Sequence, residues 1–263
     1  MRRWLIAVAI AILIGLSSYS ALASSVWAAP AESVAELRDK AFALTQAGKF
    51  DLAEAYWSKL IERLPSEPAL WSNRGNVRVS QHKLEAAIAD YTQAIRLAPF
   101  EPDPYLNRGA ALEGAGDWQA AIDDYNQVLA LSPDDPAAYN NRGNAKGGLG
   151  DWPAALEDYQ QAIELMPSFS LAYGNYALAL YQVGQTERAV QIMRSLVRKY
   201  PGFADMRAAL TAALWETGQR GEAESNWVAA VGLDKRYRDT DWVAHIRRWP
   251  PEMVTALNHF LHL

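Results

Sequence analysis

The residues of this chain that could do chemistry are few and poorly placed for it. Of the four histidines, His82, His245, His259 and His262, only the last two stand at helix-neighbour spacing, and no acidic motif accompanies them as a metal site would require. The run Gly147-Gly148-Leu149-Gly150 lacks the Gly-Lys-Ser/Thr that completes a phosphate loop. The paired acids Asp123-Asp124 and Asp134-Asp135 read as solvating and helix-start charge. Cysteine is absent, which removes thiolate metal sites and disulfides, and no nucleophile has a base placed to serve it. No cofactor is implied, and the chain reads as a non-enzyme. What does recur is the carboxamide: Asn73, Asn107, Asn141 and Asn175 lie 34 residues apart, with Asn76, Asn140 and Asn144 beside them. An amide carries both donors and an acceptor, so a row of them can pair with the backbone of an extended peptide whatever its sequence.

The elements that must position these amides follow from the same period. Pro65, Pro99, Pro133, Pro167 and Pro201 are 34 apart without drift, as are Ala53, Ala87, Ala121, Ala155, Ala189 and Ala223. Trp57, Tyr91, Tyr125, Tyr159, Met193 and Trp227 follow those alanines by four, and Gly75, Gly109 and Gly143 keep the beat before Ala177 and Thr211. A fixed period of this length marks stacked two-helix units. Within each unit a first apolar-periodic segment ends near Gly48, His82, Gly116, Gly150, Gly184 or Gly218, and a second runs to the proline. Glycine frees the turn, and proline stops the second helix. The small residues are expected where the two helices approach, with the tyrosines filling the wider gap beside them. Asn-Arg-Gly recurs at 73–75, 107–109 and 141–143, and an aspartate follows each arginine by sixteen: Asp90, Asp124 and Asp158. This covariation predicts a partly exposed pair between the helices of a unit, worth no more than about 1 kcal/mol each.

The pattern Trp71-x-x-Arg74-Gly75-x-x-Arg78, Ala87-x-x-x-Tyr91, Pro99, with Tyr105, Gly109, Leu112, Ala121, Tyr125, Pro133 and Tyr139, Gly143, Ala155, Tyr159, Pro167 in register, resembles the tetratricopeptide repeat (TPR). The resemblance covers 34–237 as six repeats, the sixth degenerate, with Arg207 at the aromatic position and Lys235 at the proline. It implies an all-α, right-handed superhelical solenoid whose first helices line a concave groove. In that register Asn73, Asn76, Asn107, Asn140, Asn141, Asn144 and Asn175 face inward, with Tyr181 and Trp215 toward the C-terminal half. Two readings stay open for the amides: they meet a ligand, or they bond within the fold. Leu171, Leu178, Tyr181 and Trp215 either anchor a partner or lie under the tail. Gly147 and Gly148, each costing about 1 kcal/mol in a helix against alanine, mark a close ligand approach or a fraying end. The groove does not suit an acidic chaperone tail: Arg38 and Asn73 could serve a carboxylate clamp, but Phe42, Asp103 and Asn107 occupy its other places.

Residues 238–263 leave the repeat, and Pro250-Pro251-Glu252 reads as the start of a final helix with Met253, Ala256, Leu257, Phe260 and Leu261 on one face. This predicts a C-terminal helical cap, with an exposed Trp249 beside Arg247 and Arg248 as the signature of a partner-binding tail instead. The tail also resembles TPR proteins of cyanobacteria and chloroplasts of the photosystem-auxiliary kind, through Tyr200-Pro201-Gly202-Phe203 and Trp249-Pro250-Pro251. That implies a thylakoid-lumen or periplasmic setting. At the other end, Met1-Arg2-Arg3 and an apolar run to Leu16 predict a signal peptide over 1–28, cleaved after Ala23 or Ala28, with a short linker over 29–33. The alternative is an uncleaved anchor. Losing Arg2 and Arg3 leaves 23 of the 25 basic residues against 30 acidic ones, a formal charge of −7, which disfavours nucleic acid and direct binding to anionic membrane. The expected function is an exported scaffold binding an extended segment of another protein, aiding assembly of a membrane complex. The alternative is an envelope docking or self-association module using the convex face or the tail.

Overall fold

The computed structural model describes residues 32–262; the signal-peptide reading and most of the linker lie outside them. The described residues form fourteen α-helices and one 3-10 turn, with no strand among them. Twelve helices pair in sequence: α1 (Val34–Gln46) with α2 (Phe50–Arg63), α3 (Pro68–Ser80) with α4 (Leu84–Leu97), and α5 (Pro102–Ala115) with α6 (Trp118–Leu131). Next come α7 (Pro136–Gly148) with α8 (Trp152–Leu165), α9 (Ser170–Gln182) with α10 (Thr186–Lys199), and α11 (Ala204–Glu216) with α12 (Arg220–Leu233). Each helix packs on its neighbours in order, and the result is a superhelical solenoid. A 3-10 turn (Lys235–Arg238), α13 (Thr240–His245) and α14 (Pro251–Leu261) follow, and α14 lies against α9 and α11.

Six first helices end in the same way. The backbone N–H of Lys49, Lys83, Asp117, Asp151, Gln185 and Gln219 each donates, at 2.9 Å, to the carbonyl five residues earlier. That bond requires a left-handed residue just before it. Glycine supplies it at Gly48, Gly116, Gly150, Gly184 and Gly218, whereas His82 must adopt φ 58° with a side chain present. The second helices of the first five repeats end two residues before their prolines, and Pro68, Pro102 and Pro136 open the next first helix, where a missing N–H costs nothing.

The six recurring alanines from Ala53 to Ala223 are fully buried between paired helices. A tyrosine ring lies directly on the glycine backbone, rather than beside it: a Cβ on Gly75, Gly109 or Gly143 would come within 2.6–2.7 Å of Cε1 of Tyr91, Tyr125 or Tyr159.

The arginine–aspartate pairs are stronger than their spacing suggests. Nε and Nη2 of Arg74, Arg108 and Arg142 grip both carboxylate oxygens of Asp90, Asp124 and Asp158 at 2.7–2.9 Å. These aspartates are buried, not partly exposed. The third arginine nitrogen crosses to the preceding repeat, donating to Ser58 Oγ (3.0 Å), Thr92 Oγ1 (3.0 Å) and Asn126 Oδ1 (2.7 Å). Each guanidinium also lies over the ring of Trp71, Tyr105 or Tyr139, 5.0–5.9 Å from its centroid. One side chain thus ties three helices together, and removing it leaves a buried carboxylate behind.

Arg108→Ala is expected to cost about 3 kcal/mol, since Asp124 then has no cation. Arg142→Ala should cost clearly less, because Lys146 Nζ remains 2.7 Å from Asp158. Urea unfolding of the two variants makes the comparison, and equal losses would refute it. His82→Gly should raise stability by about 0.5–1 kcal/mol by relieving the left-handed strain, visible as a higher Tm.

Candidate functional site

The inner-face amides divide according to the tyrosines beneath them. Asn76 and Asn144 accept the hydroxyls of Tyr91 (2.7 Å) and Tyr159 (3.0 Å). In the third repeat the corresponding position is Ala110, so the Tyr125 hydroxyl turns one helical turn on and donates to Oε1 of Glu113. Asn175 Nδ2 then bridges Asn140 Oδ1 (2.9 Å) and Asn144 Oδ1 (3.0 Å), while Asn140 Nδ2 donates to Asn141 Oδ1 at 3.1 Å. The structure therefore brings Asn140, Asn141, Asn144 and Asn175 into one network within the fold. Asn73 and Asn107 are half-buried and stay outside it, with no side-chain hydrogen bond to the described residues.

The tail completes a cavity of about 690 Å³ on this face. Residues 244–251 form one wall, and Glu113, Trp118, Asn144, Trp152, Asn175 and Asp205 line the other. Asp205 holds the tail in place: its Oδ1 accepts from the Tyr237 hydroxyl (2.7 Å), Arg247 Nε (3.0 Å) and Trp249 Nε1 (3.0 Å). Trp249 is only 4% exposed, so the open aromatic expected of a partner-binding tail is not what the structure presents. Met253, Ala256, Leu257 and Phe260 of α14 are buried, and Phe260 meets Trp215 and Trp227 edge-on at 5.2 Å. Trp215 is thus a contact of the tail. Tyr181 is half-buried nearby, and burial, with the charges of Glu216 and Glu252, pushes its phenol up to about 12.

Gly147 and Gly148 have a different reason from either expectation. A Cβ at Gly147 would strike the Trp152 ring at 2.8 Å, and one at Gly148 would enter the Trp118 ring at 2.5 Å. These glycines make room for two indoles that line the cavity, not for a ligand backbone or a frayed end. The cavity residue that sequence reasoning missed is Glu113. Its signal was present, as the one acid in a column otherwise held by Thr45, Val79, Gly147, Tyr181 and Trp215, in the repeat where Ala110 replaces asparagine.

Family profiles described as TPR repeat match residues 75–116 and 114–150, and two described as tetratricopeptide repeat match 136–169 and 172–202. With the helix-pair solenoid, they support the tetratricopeptide-repeat family as the class of this protein. No curated protein matches the chain significantly. Among solved structures, Cut9 of the APC/C hetero-tetramer Cut9–Hcn1 is 18% identical with a TM-score of 0.68 over 77% of this chain, which spans only 40% of that one. MamA from Desulfovibrio magneticus RS-1 is 17% identical, TM-score 0.59, over 64% of this chain and 95% of its own. YrrB, described as a TPR protein with an unusual peptide-binding site, is 20% identical, TM-score 0.53, over 73% and 97%. At such identities the likeness is one of fold. None of these matches carries the photosynthetic resemblance of the tail.

Glu113 is the electrostatic outlier of the cavity. It is 7% exposed, and burial pushes its carboxyl up to about 7 against the opposing pull of the Tyr125 hydroxyl and the Arg248 charge. A carboxyl raised in the folded state contributes stability that is fully present below its ordinary value near 4.5 and is lost as pH rises through about 7. Glu113→Gln, neutral at every pH and still able to accept the Tyr125 hydroxyl, should match wild type at pH ~5 and exceed it by about 2 kcal/mol at pH ~8. Urea unfolding at both pH values measures this; a variant less stable at the higher pH would contradict it.

Proposed function

We propose that the protein is an exported, non-enzymatic TPR scaffold that holds an extended segment of another protein on the inner helices of its second to fourth repeats. The observation that carries this reading is intramolecular. The chain's own segment 244–251, non-helical from 246 to 250, is already seated on the inner face through Asp205, Trp118 and Glu113. An inner face that grips one irregular segment by its side chains has the chemistry to grip another. Asn73 and Asn107, with donors and acceptors not engaged within the fold, lie on α3 and α5, ahead of that seat. YrrB, of the same fold, is described as having a peptide-binding site.

Export rests on the N-terminal Met1-Arg2-Arg3 and the apolar run after it. Among the described residues no helix is long and apolar enough to cross a membrane, so membrane association in this reading is indirect or through that N-terminal segment. The assembly or maintenance of a membrane complex, in a thylakoid lumen or periplasm, is the process that the tail's resemblance favours. With Trp249 buried, the tail-docking alternative has no observation behind it.

A photo-crosslinking amino acid in place of Ala110, exposed on α5 three residues beyond Asn107, in protein exposed to its native membranes, should trap a partner protein. Asn73→Ala with Asn107→Ala should lower capture at least fivefold while leaving Tm unchanged. Undiminished capture by this folded double variant would overturn the groove assignment.

A further inference from the structure

The buried carboxylates of the array share a rule, and one of them breaks it. Asp90, Asp124, Asp158 and Asp205 are each gripped by an arginine at 2.7–3.0 Å. Glu113 is as deeply buried, yet its Oε1 has only the Tyr125 hydroxyl, and its Oε2 faces the Arg248 Nη1 at 3.7 Å, beyond hydrogen-bond reach. A buried carboxylate with so loose a counter-ion is an incomplete pair. Beside it, the Trp118 ring presents a face, and the Arg248 guanidinium hovers 5.2 Å from its centroid.

Arg248 itself is weakly held. Its side chain is 40% exposed, it makes no hydrogen bond to the described residues, and it stands at a left-handed φ of 56°. Its neighbours are the opposite: Arg247 and Trp249 are both locked on Asp205. Arg248 can therefore swing out while the tail stays docked. The cavity that it lines, about 690 Å³, is within the usual range for a ligand pocket. With Asp205 already paired by Arg247, Glu113 supplies the carboxylate of the opposite wall that lacks a hydrogen-bonded cation, and Trp118 and Trp152 make that wall aromatic. That combination selects a cation with a flat face. Guanidinium meets both demands at once, stacking on the indole while presenting two parallel donors to the carboxylate, which a lysine ammonium cannot do.

We propose that the Glu113–Trp118 corner is a receptor for an arginine side chain on the protein segment the groove holds, with Arg248 as its resident competitor. This rests on the groove reading above and names the partner chemistry it requires. A segment bearing arginine next to an apolar or aromatic residue displaces Arg248, completes the Glu113 pair, and leaves the Asp205 anchorage untouched.

The probe is a fluorescein-labelled peptide with the sequence of residues 244–251, Ala-His-Ile-Arg-Arg-Trp-Pro-Pro, and a twin carrying neutral citrulline at the place of Arg248. Anisotropy titrations with the full chain at pH ~8 keep Glu113 ionised. Arg248→Ala should bind the arginine peptide at least tenfold tighter than wild type does and at least tenfold tighter than it binds the citrulline twin. Adding Glu113→Gln or, separately, Trp118→Ala should erase that preference; the two variants guard against one that fails to fold. Equal binding of the two peptides by Arg248→Ala, or a preference that survives both second substitutions, overturns the receptor and leaves the groove reading intact. Binding of neither peptide also overturns it, and the groove reading then stands or falls by the crosslink at position 110.

Discussion

A tyrosine ring packed against a glycine Cα sets the spacing on which the middle of this molecule depends. Because Gly75, Gly109 and Gly143 have no side chain, the two helices of a repeat close onto the rings of Tyr91, Tyr125 and Tyr159. The hydroxyl of each ring is thereby delivered through the repeat to the inner face, where a buried phenol must find a partner. Asparagine meets that demand in two repeats and glutamate in the third. The polarity of the inner surface is thus a by-product of how the core is packed. A single change of partner, from amide to carboxylate, turns a neutral site into a charged one.

The same economy joins repeat to repeat. Arg74, Arg108 and Arg142 each satisfy an aspartate of their own repeat, a polar group of the previous one and an aromatic ring. These contacts repeat at the period of the chain, so the same joint recurs through the second to fourth repeats. Later repeats dispense with the arginine and rely on apolar contact, through Met193, Met206, Leu210 and Leu214. The cavity lies where the first regime gives way to the second, with α5 and α7 on one side and the tail held by α11 on the other.

The helix pairs, their ends and the buried alanines were legible in the sequence because they obey a period, and a period is visible without knowing what touches what. The clamps were legible as covariation, but their strength was not: spacing says that Arg108 and Asp124 meet, and only the packing around them says that the carboxylate is buried. The inner-face amides were half legible. The repeat register singles out Asn76 and Asn144, yet the tyrosine beneath each claims its oxygen, a demand visible only once the Gly–Tyr contact is known. The cavity was not legible. It joins α5 to a tail 135 residues later, through Glu113 and Arg248, and no pattern within a repeat reports a contact made outside the array.

Solenoids open from their ends, because a terminal repeat has one neighbour instead of two. The tail alters that symmetry here. Glu252 N–H donates to Gln182, Arg247 and Trp249 bind Asp205, and His259 lies 2.9 Å from Glu216, so α9 and α11 are laced together by one strap. The fifth and sixth repeats cannot peel away singly; they leave together or not at all. The array therefore behaves as a zipper with one end sewn shut, and its reversible breathing runs inward from α1 and α2.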